Sequence, residues 1–128
     1  MKRLFKLALF LFLIINNLSA QDTLTYVINK VSFYDSSLYF NLTDKRGIQD
    51  KAGTIYYVEK DLQTLTAYHN FIIKWRSNVI DSCGKPYIGT PKIRFLKLEK
   101  DRIFVIFGKH SFASIDYSTG KIKCLGSD

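Results

Sequence analysis

"RIFVIFGKHSFASIDYSTGKIKC", residues 102–124, decides how the chain is read. Its apolar residues recur at every second position or in short runs rich in Ile, Val and Phe, the pattern of strands with one or both faces buried. Between the runs lie two polar joints. Ser118, Thr119 and Gly120 suit a tight hairpin whose glycine takes a positive φ. The other joint, "GKHS" at 108–111, lacks the spaced glycines of a phosphate-binding loop. Neither Ser111 nor Ser114 stands in a GxSxG nucleophile elbow. The polar middle therefore reads as surface between strands.

The same grammar runs outward along the chain. Strands are expected at 24–33, 37–43, 54–60, 64–69, 71–76, 92–99, 102–108, 111–117 and 121–125. No window of eleven or more residues carries a 3.6-residue apolar stripe, so helix should be scarce. Asp61 would cap a helical turn in "DLQTLTAY", but Thr64 and Thr66 favour an extended chain there. "DKRG" at 44–47 reads as a loose connection. "DSCGKPYIGTPK", 81–92, holds both prolines of the chain and reads as an irregular crossing, because proline cannot donate to a central ladder. The expected fold is a small all-β single domain of antiparallel meanders, a sandwich or a partly open barrel.

Residues 55–75 can be laid over 103–124 as an internal repeat of strand, turn, strand, turn, strand. Ile55, Tyr56 and Val58 then match Ile103, Phe104 and Ile106, while Ala67 matches Ile115, and Ile73 and Trp75 match Ile122 and Cys124. This pattern, with its ending "FASIDYSTGKIKC", resembles the blade repeat of quinoprotein-type β-propellers. Ile115, Asp116, Thr119, Gly120 and Lys121 match the turn of that repeat; His69, Asn70 and Phe71 of the first copy depart from it. The resemblance implies meander topology. The chain is too short for a closed propeller, and the resemblance brings no cofactor and no oxidoreductase activity with it.

The start of the chain has the form of an export signal. Lys2, Arg3 and Lys6 precede an apolar run from Leu7 to Ile15, and Leu18-Ser19-Ala20 supplies small residues before a cut after Ala20. The run is shorter than a membrane span requires. The expectation is a signal peptide over 1–20 and one all-β domain over 21–128, in a bacterial periplasm or outside the cell. The domain would keep 16 of the chain's 19 basic residues and all 11 acids. Eleven of those basic residues fall in 70–128, against five acids. A field of that sign favours an anionic partner. Only Cys83 and Cys124 are present, and in an oxidising compartment they are expected to form a disulfide.

Catalytic signatures are sparse. His69 and His110 sit beside turns and belong to no HExxH or paired CxxC pattern, so no metal and no cofactor are expected. A thiolate at Cys83 would need to stay reduced, which pairing with Cys124 prevents. The acids show no spacing that assigns general acid and base roles. Lys85, Lys92, Arg94, Lys97, Lys100 and Arg102 interleave with Tyr87 and Phe95, and a change of register near Leu96 and Leu98 implies a bulge or a strand buried on both faces. Export and the absence of an RNA-recognition hexamer argue against nucleic acid. The leading expectation is non-catalytic binding of an envelope or extracellular protein, or an anionic polymer, with Lys85, Tyr87, Lys92 and Arg94 as contacts. A small hydrolase whose site assembles only in the fold, and a structural subunit of an envelope assembly, are the alternatives.

Overall fold

Period-two alternation becomes strands because successive side chains point to opposite faces, so a run such as Ile103-Phe104-Val105-Ile106-Phe107 can bury every second residue. The computed structural model describes residues 30–33, 36–40 and 44–128. In chain order these form β1 (Val31–Phe33), β2 (Ser37–Tyr39), β3 (Gly47–Gln49), β4 (Ile55–Val58), β5 (Thr64–His69), β6 (Ile72–Asn78), α1 (Val79–Cys83), β7 (Ile93–Leu98), β8 (Ile103–Phe107), β9 (Ser111–Ile115) and β10 (Ile122–Ser127). The expected signal peptide and the expected strand positions 24–29 and 41–43 lie outside the described residues.

The strands make two five-stranded sheets. Sheet A runs β1-β3-β4-β5-β6 and sheet B runs β10-β9-β8-β7-β2. β1 and β3 pair in parallel, and every other neighbouring pair is antiparallel. Each sheet is thus a four-stranded meander plus one strand from the start of the chain. The fold is all-β, and among the described residues no ladder joins the sheets into a barrel.

One apolar core lies between them. Ile48, Tyr56, Val58, Leu65, Ala67 and Trp75 enter it from sheet A, and Leu38, Ile93, Leu96, Ile103, Val105, Phe107, Ala113 and Ile115 from sheet B. Burying side chains of this size contributes about 1.5–3 kcal/mol each, which offsets the entropy of ordering the chain. Trp75 and Tyr56 accordingly lie inside, Tyr57 and Tyr68 are buried with Val31 in a smaller cluster, and Tyr87 is 94% exposed.

Several local details depart from the sequence expectation. β3 falls between the expected strands, with Gly47 at the end of the expected 44–47 connection, since three residues with one large apolar side chain carry no period of their own. α1 spans five residues, too few to show a stripe; the Asn78 side chain caps it by accepting from the Asp81 amide at 2.9 Å. Asp61 caps no helix. Its carboxylate accepts from the amides of Gln63 and Thr64 and from the Thr64 hydroxyl, forming a turn that launches β5. The repeat matches strands but not faces: Tyr56 and Val58 point into the core, while Phe104 and Ile106 lie on the opposite face of their strand from Ile103 and Val105.

Cys83 and Cys124 form a disulfide with Cα atoms 5.6 Å apart. It ties α1, which follows the last strand of sheet A, to the edge strand β10 of sheet B.

Candidate functional site

A bulge sets the outward face of sheet B. Ile93 pairs with Phe107 and Phe95 with Ile106, leaving Arg94 as the extra residue on β7. Ile93 and Leu96 therefore both reach the core, and Phe95 turns outward. The register change expected near Leu96 is this bulge, placed two residues earlier.

Two rows of side chains then cross the outer face. Tyr39, Phe95, Ile106 and Phe112 are successive cross-strand partners in the first. The second runs Ser37, Lys97, Phe104, Ser114, Lys123. Tyr39 covers Phe95 with ring centroids 4.3 Å apart, and Phe104 stacks on Phe112 at 5.9 Å. Tyr39 stays 48% exposed, and Phe104, Ile106 and Phe112 are half-buried. The five strands of sheet B carry Arg94, Lys97 and Lys123 and no carboxylate. The strands of this face are aromatic at the centre with Lys97 and Lys123 to either side, and carboxylates enter only at the turn end, where Asp101 and Asp116 stand near Lys123.

The crossing loop sits at one end of this face, beside the first row. Gly108 makes that seat possible, because a Cβ there would lie 2.4 Å from Cβ of Pro86. The Lys109 amide donates to the Ile88 carbonyl at 2.9 Å, and the Gly108 amide to the Lys92 carbonyl at 3.0 Å. Lys85 and Tyr87 stand exposed on the loop. Lys92 is half-buried at its base. The Arg94 guanidinium donates to the Lys109 carbonyl, while the Arg94 carbonyl accepts from the Phe40 amide at 3.0 Å. Arg94 thus braces the β8–β9 turn, and of the four residues chosen from the sequence Lys85 and Tyr87 are the ones left fully open to solvent.

Tyr39, Phe104, Ile106, Phe112 and Lys123 are not among the contacts expected from the sequence. One signal was present: "IFVIF" is apolar on both faces, yet its strand has no second layer of described residues beyond it. Where a strand is greasy on both sides and packed on one, the other side leaves apolar surface partly open to solvent; here Tyr39 is exposed, Phe104, Ile106 and Phe112 are half-buried, and Phe95 is buried beneath Tyr39.

The opposite end of the face opens into a groove of about 400 Å³ lined by Asp101, Arg102, Ser114, Asp116, Lys121, Ile122 and Lys123. Of its two carboxylates, Asp101 and Asp116, the second is engaged by its own turn. Asp116 accepts from the amides of Thr119 and Ser118 and from the Thr119 hydroxyl, which hold its carboxyl below the usual range. Arg102 lies 3.5 Å from Glu99.

No histidine or cysteine lines that groove. His69 Nδ1 is 3.0 Å from the Thr54 hydroxyl, and His110 is exposed in the β8–β9 turn. Both cysteines are consumed in the disulfide. Among the described residues no three His, Cys, Asp or Glu side chains converge as a metal site would require. Comparison with protein-family models, curated proteins and solved structures finds no match to this chain.

Proposed function

We propose that this is an exported, non-catalytic binding protein that docks an acidic protein surface on the outer face of sheet B, with Lys85 and Tyr87 of the crossing loop extending the contact. The observation that carries the reading is the pair of cross-strand rows: rings at the centre, lysines toward the rim and no carboxylate on any strand. Protein interfaces share this anatomy, with aromatic side chains in a desolvated centre and charge outside it. Aromatic rings supply large contact area through few rotatable bonds, so little entropy is lost on docking. The lysines accelerate encounter with an acidic partner and reject a basic one.

Edge pairing into an envelope assembly has less support. β6 and β10, each at an edge, are broken by bulges at Lys74 and Leu125, which blunts strand addition. Hydrolysis has less support as well: of the groove's two carboxylates Asp116 is engaged by its own turn, and no histidine or cysteine lines the groove beside Asp101.

The test is photo-crosslinking from position 104 or 112 in the producing cell, with position 60 in the β4–β5 turn of sheet A as control. The reading expects a discrete protein adduct from the two sheet B positions alone, diminished by the double substitution Lys97→Glu, Lys123→Glu. Equal adducts from all three positions would contradict it, as would no protein adduct together with charge-dependent retention on an acidic polysaccharide.

A further inference from the structure

The hairpin joining β5 to β6 breaks the pattern of the rest of the fold. Asn70 and Phe71 have φ of 48° and 63°. A two-residue connection of this kind ordinarily holds glycine at its second position, and a bulky side chain there is strained. Leu62, also at positive φ, is compensated: its side chain packs on the core, and its carbonyl accepts from the Ile93 amide at 2.7 Å. Phe71 has no such compensation. Phe71 is 68% exposed and packs neither in the core between the sheets nor against the smaller cluster of Val31, Tyr57 and Tyr68. Ile72 and Ile73 follow at 69% and 44%. Strain that gains no packing within the chain points to a contact outside it.

The surroundings select the partner. The patch sits on a convex tip, which suits a soft or concave partner rather than a flat one. Lys74 and Arg76 follow it on β6, both exposed, and exposed Lys51 lies on the β3–β4 turn at the same end of sheet A. No acid occurs between Asp61 and Asp81. Asp50, the acid in that β3–β4 turn, accepts from the Thr54 amide and the Tyr56 hydroxyl. A second copy adding by edge pairing is opposed by the bulge, where Lys74 is the extra residue between the pairs Ala67–Trp75 and Tyr68–Ile73. Three apolar side chains inside a cationic collar complement a bilayer, where acyl chains lie beneath anionic headgroups.

We propose that the Phe71-Ile72-Ile73 tip inserts into the headgroup layer of an anionic lipid membrane, with Lys74 and Arg76 against lipid phosphates. The tip lies on sheet A, so this contact leaves the outer face of sheet B free for its own partner. Binding would be reversible, since three side chains bury far less than a spanning segment.

Co-sedimentation with phosphatidylglycerol-containing vesicles and with pure phosphatidylcholine vesicles tests it. The parent protein should prefer the anionic vesicles by about tenfold or more, and Lys74→Glu, Arg76→Glu should abolish the preference. Phe71→Gly, which relieves the backbone, should weaken binding without lowering the melting temperature; a structural role for the ring would lower it. Phe71→Trp places a reporter at the tip itself, and lipids brominated on their acyl chains should quench it while sparing the buried Trp75 of the parent. Absence of quenching at position 71 would overturn the proposal. So would unchanged binding by Phe71→Gly, or a dimer that dissociates in Phe71→Ser, Ile72→Ser.

Discussion

The indole Nε1 of Trp75 on sheet A donates to the carbonyl of Tyr117, in the β9–β10 turn of sheet B, at 2.8 Å. Gly120 of the same turn lies against that indole and has φ of 72°. A Cβ added there would come within 2.6 Å of Trp75 Cδ2 and 2.7 Å of Ser77 Oγ. The Ser77 hydroxyl also donates to the Gly120 carbonyl, so β6 and the turn are locked at three points. Gly120→Ala should destabilise the fold by about 2–4 kcal/mol, from backbone strain plus overpacking. Gly126→Ala, at φ 92° with nothing within 4 Å of the added Cβ, should show the backbone cost alone. Urea denaturation of the two variants separates the terms.

Replacing Cys83 and Cys124 with serine should lower stability by roughly 4 kcal/mol in the chain-entropy model, because the bridge closes a loop of about forty residues in the unfolded chain. Cys124 is exposed and Cys83 half-buried, so added dithiothreitol should reduce the bond in the folded protein. Mass spectrometry after alkylation should then find two modified cysteines in reduced protein and none otherwise.

The pH limbs of stability follow from two kinds of side chain. Burial works against the Asp61 charge, but hydrogen bonds from the Thr64 hydroxyl and the Gln63 and Thr64 amides outweigh it and hold the carboxyl low; donors from Thr119 and Ser118 do the same at Asp116. A carboxyl with a depressed folded pKa stabilises above its unfolded value of about 3.9, and that contribution fades as pH falls through the folded value. Asp116→Asn should therefore flatten the acid limb of a melting-temperature profile. At the other limb, burial, then the charges of Asp50 and Glu99, push the Tyr117 phenol up to about 12. Burial and the Asp50 charge also raise Tyr56. Their contributions persist below about pH 10, the unfolded value, and are lost as pH rises through the folded ones. Ultraviolet titration should show these phenols ionising after the exposed tyrosines, with Tyr117→Phe removing one late step.

The alternation of 64–69 and 102–115 made the two meanders readable, because each strand contributes every second side chain to one core. The disulfide was readable from two cysteines in a chain with an export signal's form. The hidden features are short or tertiary. β3 has three residues, and α1 has fewer than two turns. Facing was lost where "IYYV" and "IFVI" look alike as strings: the bulge and the sheet geometry, not the string, send Tyr56 inward and Phe104 outward. For the same reason basic and aromatic residues near 85–94 were visible as a cluster, whereas the rows built from β2, β7, β8, β9 and β10 require a cross-strand register that no local stretch contains.

Docking of an acidic protein on the outer face of sheet B, as proposed, has a residue-by-residue readout. Backbone amide shifts recorded while a glutamate-rich polypeptide is titrated in measure it most directly. Perturbations are expected along Tyr39, Phe95, Lys97, Phe104, Phe112 and Lys123 and onto the loop at Lys85 and Tyr87, weakened by Lys97→Glu, Lys123→Glu. Perturbations confined to sheet A, or spread evenly over the protein's lysines, would contradict it.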